Sequence, residues 1–183
     1  MKKKLKTICI IPARGGSKGL PGKNLRLFNG KPLIAWPIIA ATRCKNVDSI
    51  IVTTDNEKIA VQAKLYGATV PALRPHSLSL DNSTTEETLK DALEKFEKLT
   101  NQVFDICVFL TCTDIFRDTD WITRAIEKLK SNTSLDSVFS ANPTHKNFWY
   151  KDKDGKFIRV LKKMEFYSNR QEKEPIYRED TGL

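Results

Sequence analysis

Three cationic side chains, Arg14, Lys18 and Lys23, fall within ten residues in the stretch Pro12-Ala13-Arg14-Gly15-Gly16-Ser17-Lys18-Gly19-Leu20-Pro21-Gly22-Lys23-Asn24, with four glycines set among them. Glycine lets backbone N–H groups approach an anion closely, and successive N–H groups can form a concave anion-holding nest. An arginine adds a paired hydrogen-bonding fork and a lysine a compact point charge. Phosphate oxygens are the ligand this set suits. Gly15, Gly16, Ser17 and Lys18 are therefore candidate nucleotide contacts together with the cations on either side.

Two common phosphate motifs do not fit. A Walker loop requires G-x-x-x-x-G-K-[ST], but Ser17 stands at its first glycine and Asn24 follows Lys23. The dinucleotide fingerprint opens with two glycines one residue apart, and no two glycines of this loop have that separation. About twenty residues separate Pro12 from Pro32, too many for a simple strand-to-helix turn. A loop of that length suits a ligand as large as a whole nucleotide.

Two further candidates lie downstream. Arg74 sits in a loop with Pro75 and His76, where it either pairs with the ligand or fixes its own loop. Ser83 or Thr84 caps a long helix that carries Glu86 and Glu87 in its first turn. Thr84 thus offers a hydroxyl and adjacent N–H donors, for the cap, for a ligand or for both.

The elements that must position these residues alternate. Thr7–Ile11, Ser49–Thr53 and Asp105–Leu110 are short continuous apolar runs and read as buried strands. A helix is expected from Pro32 to about Cys44, with Pro32 at its first position and Pro37 kinking it. Further helices are expected over Asn56–Tyr66, closed by Gly67, from Ser83 or Thr84 to about Leu99, and over Asp118–Lys130. An extended piece is expected near Thr69–Pro71, and a further strand over Ser137–Ala141. Strand and helix in this alternation imply an α/β fold with a mostly parallel sheet covered on both faces, and such sheets bind ligands at the carboxyl ends of their strands. Beyond residue 141 the pattern changes. Asn147–Tyr150 and Phe157–Leu161 flank an Asp154-Gly155 turn and predict a hairpin.

The chain has 183 residues, 40% of them apolar and 29% charged, which favours one domain with a real core. A basic Met1–Lys6 start without a long apolar run gives an expectation of a cytoplasmic protein rather than a secreted or membrane one. Cys9, Cys44, Cys107 and Cys112 show no C-x-x-C spacing and read as buried thiols, not as a metal site or disulfides. The net charge of +9 calls for an anionic partner. The lysines are scattered rather than gathered in a block, so a nucleoside triphosphate fits the charge and neither nucleic acid nor a membrane is the expected partner.

The loop from Ile10 to Asn24 closely resembles the signature loop of the acylneuraminate cytidylyltransferases, or CMP-sialic acid synthetases, and its Gly19-Leu20-Pro21 segment resembles the sialic acid branch more than the pseudaminic acid one. Four more segments are similar in the same order: Val52-Thr53-Thr54-Asp55, Leu73-Arg74-Pro75 with Leu80–Thr85, Leu110-Thr111-Cys112-Thr113-Asp114-Ile115-Phe116-Arg117, and Asn169-Arg170-Gln171 with Tyr177-Arg178. The resemblance implies a Rossmann-like three-layer sandwich of the nucleotide-diphospho-sugar transferase type with a small β-hairpin dimerisation arm. Residues 1–141 would form the CTP-binding core, 142–178 the arm and 179–183 the start of a return to the core. It also implies a homodimer that transfers CMP from CTP to a sugar acid with Mg²⁺, releasing pyrophosphate.

Carried over residue by residue, Arg14, Ser17 and Asn24 would contact CTP and Lys23 would hold the α-phosphate, making Lys23 and Arg14 the catalytic candidates. Arg170 would bind the sugar carboxylate from the partner subunit. Thr111 stands where the family commonly has a sugar-reading Gln, and Asp114-Ile115 where it has Ser-Pro; both are candidate sugar contacts and both loosen the acceptor assignment. Legionaminic acid or 3-deoxy-manno-octulosonic acid is an alternative acceptor, and a nucleotide-binding protein without turnover is a third reading. The family's acidic pair for Mg²⁺ belongs to a segment beyond the matched region, so no metal ligand is assigned.

Overall fold

Three parallel strands carry the core: β1 (Thr7–Pro12), β4 (Ser49–Thr53) and β5 (Ile106–Phe109). β1 lies between the other two, with Cys9 opposite Ile50 on one side and Val108 on the other. The sheet is an α/β sheet of the expected kind. A single parallel bridge from Ile51 to Thr69 extends it beyond β4, at the predicted extended piece. The computed structural model describes residues 4–75, 78, 84–160 and 174–179.

Side chains alternate across this sheet with the two-residue period of a strand. Cys9, Ile11, Val52 and Val108 face Ile34 and residues of three helices: α1 (Ala35–Arg43), α2 (Glu57–Leu65) and α4 (Thr119–Ser131). Ile8, Ile10 and Ile51 face Ala92 and Phe96 of α3 (Thr85–Thr100). These two apolar layers give the three-layer arrangement. Each fully buried isoleucine contributes about 1.5–3 kcal/mol relative to an exposed one.

The helices start where polar caps allow. The Asn56 side chain accepts from the Ile59 N–H at 3.2 Å, and Asp118 accepts from the Asp120 N–H at 3.0 Å. Thr84 and Glu87 form a reciprocal capping box, with Glu87 N–H donating to Thr84 Oγ1 at 3.1 Å and Thr84 N–H to Glu87 Oε2 at 3.0 Å. Gly67 follows α2 with φ of 95°, the left-handed turn that ends it.

Two expectations need correction. Pro32 does not open a helix. It pairs in a small hairpin of β2 (Leu27–Phe28) and β3 (Lys31–Pro32), turned by Asn29 and Gly30 with positive φ. The helix begins at Ala35, which puts Pro37 third in the first turn. An N–H there has no intrahelical partner to lose, so no kink follows.

Ser137–Ser140 is not a strand of the parallel sheet. The strand β6 (Ala141–Thr144) instead begins a second compact unit and pairs antiparallel with β9 (Ile176–Glu179). The first unit runs to Ser140 and the second starts at Ala141. The predicted hairpin also lies in the second unit, as β7 (Trp149–Lys151) and β8 (Phe157–Arg159), with Gly155 at φ of 82° in its turn.

Candidate active site

A cleft of about 560 Å³ opens at the carboxyl ends of β1 and β5, where an α/β sheet is expected to hold its ligand. The volume suits a small-molecule site of nucleotide size. Its wall draws on the loop after β1 (Arg14, Ser17, Lys18, Lys23, Asn24), on Arg74, on the start of α3 (Thr84, Thr85, Thr88) and on the end of β5 with the turn after it (Phe109, Thr111, Thr113). Seven nucleotide candidates and one sugar candidate, Thr111, are thus brought to one cleft from four separate stretches of chain.

The loop after β1 is shaped by its own hydrogen bonds. Gly22 takes φ of 64°, which a side chain would strain, and starts a single 3-10 turn over Lys23–Leu25. Lys23 N–H donates to the Leu20 carbonyl at 3.1 Å, and the Lys23 carbonyl accepts from Arg26 N–H at 3.0 Å. Lys23 is therefore held at both ends. Asn24 is buried and donates from Nδ2 to the Arg14 carbonyl at 2.9 Å, while its own carbonyl accepts from Ile34 N–H at 3.0 Å. It lines the cleft and also ties the two ends of the loop together.

Gly15 and Gly16, both assigned to the nucleotide from sequence, are not in the cleft wall. Gly15 N–H donates to Asp55 Oδ1 at 2.7 Å, and Ser17 N–H donates to the Gly15 carbonyl at 3.1 Å. These two amides already have partners within the chain, so they do not form an open nest for an anion. Gly15 is small for a packing reason: a Cβ there would lie 3.0 Å from Asn56 Cβ and Nδ2.

The wall carries four cations, Arg14, Lys18, Lys23 and Arg74, and no carboxylate among its described residues. Arg74 is 8% exposed, and its Nε is buried with no hydrogen-bonding partner among the described residues. Burial lowers its pKa, while the nearby Asp55 opposes that shift. A cationic, partly desolvated wall of this kind stabilises phosphate oxygens more strongly than the same charges would in water.

Thr84 both lines the cleft and caps α3 through Glu87, so the cap and a ligand contact are compatible roles. Thr88, one turn on, donates from its hydroxyl to the Thr84 carbonyl at 3.0 Å and presents its side of the helix to the cleft. Sequence reasoning passed over Thr85, Thr88, Phe109 and Thr113. The helical i, i+4 spacing from Thr84 to Thr88 was the available signal.

Asp114 is not in the wall. Its carboxylate pairs with Arg117 at 3.1 Å, and the Arg117 side chain is only 2% exposed. A deeply buried guanidinium demands a partner, and Asp114 is that partner rather than an open contact for a ligand. Cys112 lines the cleft, but burial pushes its thiol up to about 12, so it stays protonated and is no nucleophile. Ser83 and Arg170 lie outside the described residues.

The cytidylyltransferase family model matches residues 8–183, nearly the whole chain. The CMP-N,N'-diacetyllegionaminic acid synthase of Legionella pneumophila is 38% identical over 95% of this chain and 75% of its own length. The chain belongs to the cytidylyltransferase family. A pseudaminic acid cytidylyltransferase of Campylobacter jejuni is 37% identical over 71% of this chain, and an N-acylneuraminate cytidylyltransferase of Escherichia coli is 36% identical over 77%. This chain spans 56% of the former's length and 32% of the latter's. Among solved structures, a CMP:2-keto-3-deoxy-manno-octonic acid synthetase complexed with CTP aligns over 97% of this chain and 72% of its own, with a TM-score of 0.69 at 16% identity. A 4-diphosphocytidyl-2C-methyl-D-erythritol synthase gives a TM-score of 0.67 at 16% identity, over 99% of this chain and 74% of its own. The fold is shared with these two synthases, and membership of the cytidylyltransferase family makes the chain a nucleotidyltransferase.

Proposed function

We propose that the chain binds CTP in the 560 Å³ cleft and transfers its CMP to a sialic acid-like sugar acid, releasing pyrophosphate. The observation that carries this is the four-cation wall without a described carboxylate, built on the loop that resembles the family's signature. An acceptor hydroxyl attacks the α-phosphorus and gives up its proton to water, the bond from that phosphorus to the bridging oxygen breaks, and pyrophosphate leaves with that electron pair. Catalysis of such a step rests on positioning and on charge stabilisation around the phosphate oxygens. Lys23, held at both ends by its turn, is assigned to the α-phosphate. Arg14, Ser17, Lys18 and Asn24 are assigned to the remaining phosphates and the ribose, and Arg74 and Thr84 to the nucleotide from the opposite wall.

Thr111 and Thr113 form the part of the wall assigned to the acceptor, and Arg170 keeps its assignment to the sugar carboxylate. Within the sugar acids a legionaminic type is the alternative acceptor, the substrate class named for the Legionella relative. Mg²⁺ is the cofactor implied by the resemblance. Mg²⁺ takes oxygen ligands, usually water and substrate phosphates with one or two carboxylates, and the described wall offers no carboxylate, so no step is routed through the ion here. In the second unit Trp149, Tyr150, Phe157 and Tyr177 are exposed and suit a subunit contact of a homodimer. No helix among the described residues is long and apolar enough to cross a membrane, and a cytoplasmic setting fits the four free cysteines.

The test is pyrophosphate release from CTP across a panel of sugar acids, run beside CTP binding. Lys23→Ala is expected to abolish turnover while weakening CTP binding much less. Undiminished turnover in that variant would remove Lys23 from the reaction.

A further inference from the structure

We infer that Asp55 is a positioning residue for the cleft, holding the cationic loop after β1 in its ligand-ready shape from outside the wall. The inference rests on the reading of the cleft as the CTP site.

The fastening comes from the end of β4. Four consecutive residues there, Thr53 to Asn56, fasten the two loops that supply the arginines of the wall. Ala13 N–H donates to the Thr53 carbonyl at 2.9 Å, and Gly15 N–H to Asp55 Oδ1 at 2.7 Å, one on each side of Arg14. Arg74 N–H donates to the Thr54 carbonyl at 2.7 Å. Thr54 is itself buried, and its hydroxyl accepts from Asn56 N–H at 3.1 Å, which fixes the turn. Asn56 then caps α2 and packs under Gly15 at the distance that excludes a Cβ.

Of these contacts, the one from Asp55 is the only one made by a charged side chain, and its acceptor is an ionised oxygen, the stronger kind of hydrogen bond. It also lies near both arginines. Asp55 is the charge that acts most strongly on Arg74, and Arg14 is the next. Cations crowded around an empty cleft repel one another, and a carboxylate behind them offsets that repulsion without competing with the ligand's oxygens inside. Asp55 is solvent-exposed, so it adds little to the core.

Asp55 thus has two effects on an anionic ligand with opposite signs. Its hydrogen bond shapes the loop and favours binding. Its charge opposes the incoming phosphates and disfavours binding. Two substitutions separate them. Asp55→Asn keeps an Oδ1 acceptor for the Gly15 amide and removes the charge; Asp55→Ala removes both.

Calorimetric titration with CTP reads the result. Asp55→Asn is expected to bind at least as tightly as the native chain. Asp55→Ala is expected to bind about tenfold more weakly, the effect of losing one charge-assisted hydrogen bond at an exposed site. Asp55→Asn is expected to melt within about 2 °C of the native chain, and Asp55→Ala about 3–6 °C lower, since the same hydrogen bond is lost from the fold. Asp55→Ala binding CTP as tightly as Asp55→Asn would overturn the inference. A parallel Arg14→Ala variant separates the two levels of the argument. If it too binds CTP unchanged, the cleft reading itself has failed; if it loses binding while Asp55→Ala does not, only the positioning role has.

Discussion

Asp114→Ala should leave a buried guanidinium without its carboxylate, and the cost can be sized from the structure. The Arg117 side chain is 2% exposed, Asp114 is 25% exposed, and they meet at 3.1 Å. Breaking a fully buried pair from one side costs about 3–5 kcal/mol, because the remaining charge stays desolvated. Water reaches the carboxylate side of this pair, and Arg117 keeps other interactions, so about 2–3 kcal/mol is the figure that fits here. At roughly 2–4 °C per kcal/mol for a chain of this size, the melting temperature falls by about 4–12 °C. Urea denaturation checks it through a lower midpoint at unchanged slope. Asp114→Asn, which keeps an acceptor oxygen, should lose less than the alanine variant. A stability loss under about 0.5 kcal/mol for Asp114→Ala, the range of an ordinary surface change, would refute the pairing and return Asp114 to the candidate sugar contacts.

Gly15→Ala should be destabilising and should weaken CTP binding, because its Cβ meets Asn56 at 3.0 Å, whereas Gly16→Ala meets nothing within 4 Å and should be tolerated; thermal melts of the pair decide it. Thr84→Ala should cost about 1 kcal/mol through loss of the α3 cap, read by denaturation. The Thr84 hydrogen bonds hold the Glu87 carboxyl below its usual value, so its contribution is present above the ordinary glutamate range and is lost as pH falls through the depressed value; Glu87→Gln should flatten the acid side of the stability profile. In a native thiol titration Cys107, exposed rather than buried as its apolar run suggests, should react ahead of Cys9 and Cys112. Partial burial pushes its thiol up to about 11, so its reaction near pH 8 should be slow and should speed as pH rises, and Cys107→Ser should remove that phase.

What the sequence made legible follows the physics of each element. β1 is a continuous run buried on both faces, and β4 and β5 are short runs around Ile50-Ile51-Val52 and Ile106–Phe109, so their pattern is local and strong. α2, α3 and α4 begin at Asn56, Thr84 and Asp118, whose side chains cap their own helices within three residues. The β2–β3 hairpin was missed because two-residue strands have no periodicity, leaving only Asn29-Gly30 as a turn signal. The strand expected over Ser137–Ala141 does not form, and β6 starts only at Ala141, because its partner, β9, lies over thirty residues away and nothing local names it. In the site, composition alone found the cations. It could not show that the Gly15 amide faces Asp55, forty residues away, or that Asp114 serves Arg117, because those pairings exist only after the chain folds.

The sheet order also sets when the cleft can come into being during synthesis. β1 lies in the middle, and its second neighbour, β5, pairs Thr7 with Ile106, so one side of the strand has no partner until about a hundred residues have followed it. β4 can join β1 earlier, since Ile8 pairs with Ser49, and that pairing brings the Gly-rich loop to Asp55. The cationic wall can therefore be shaped while the chain is still being made, whereas the threonines after β5 must wait. At about 5–20 residues per second the interval between the two pairings is several seconds, during which an edge of β1, apolar and unpaired, is exposed. Chaperone capture or aggregation of a nascent chain stopped between residues 60 and 105 would fall in that interval.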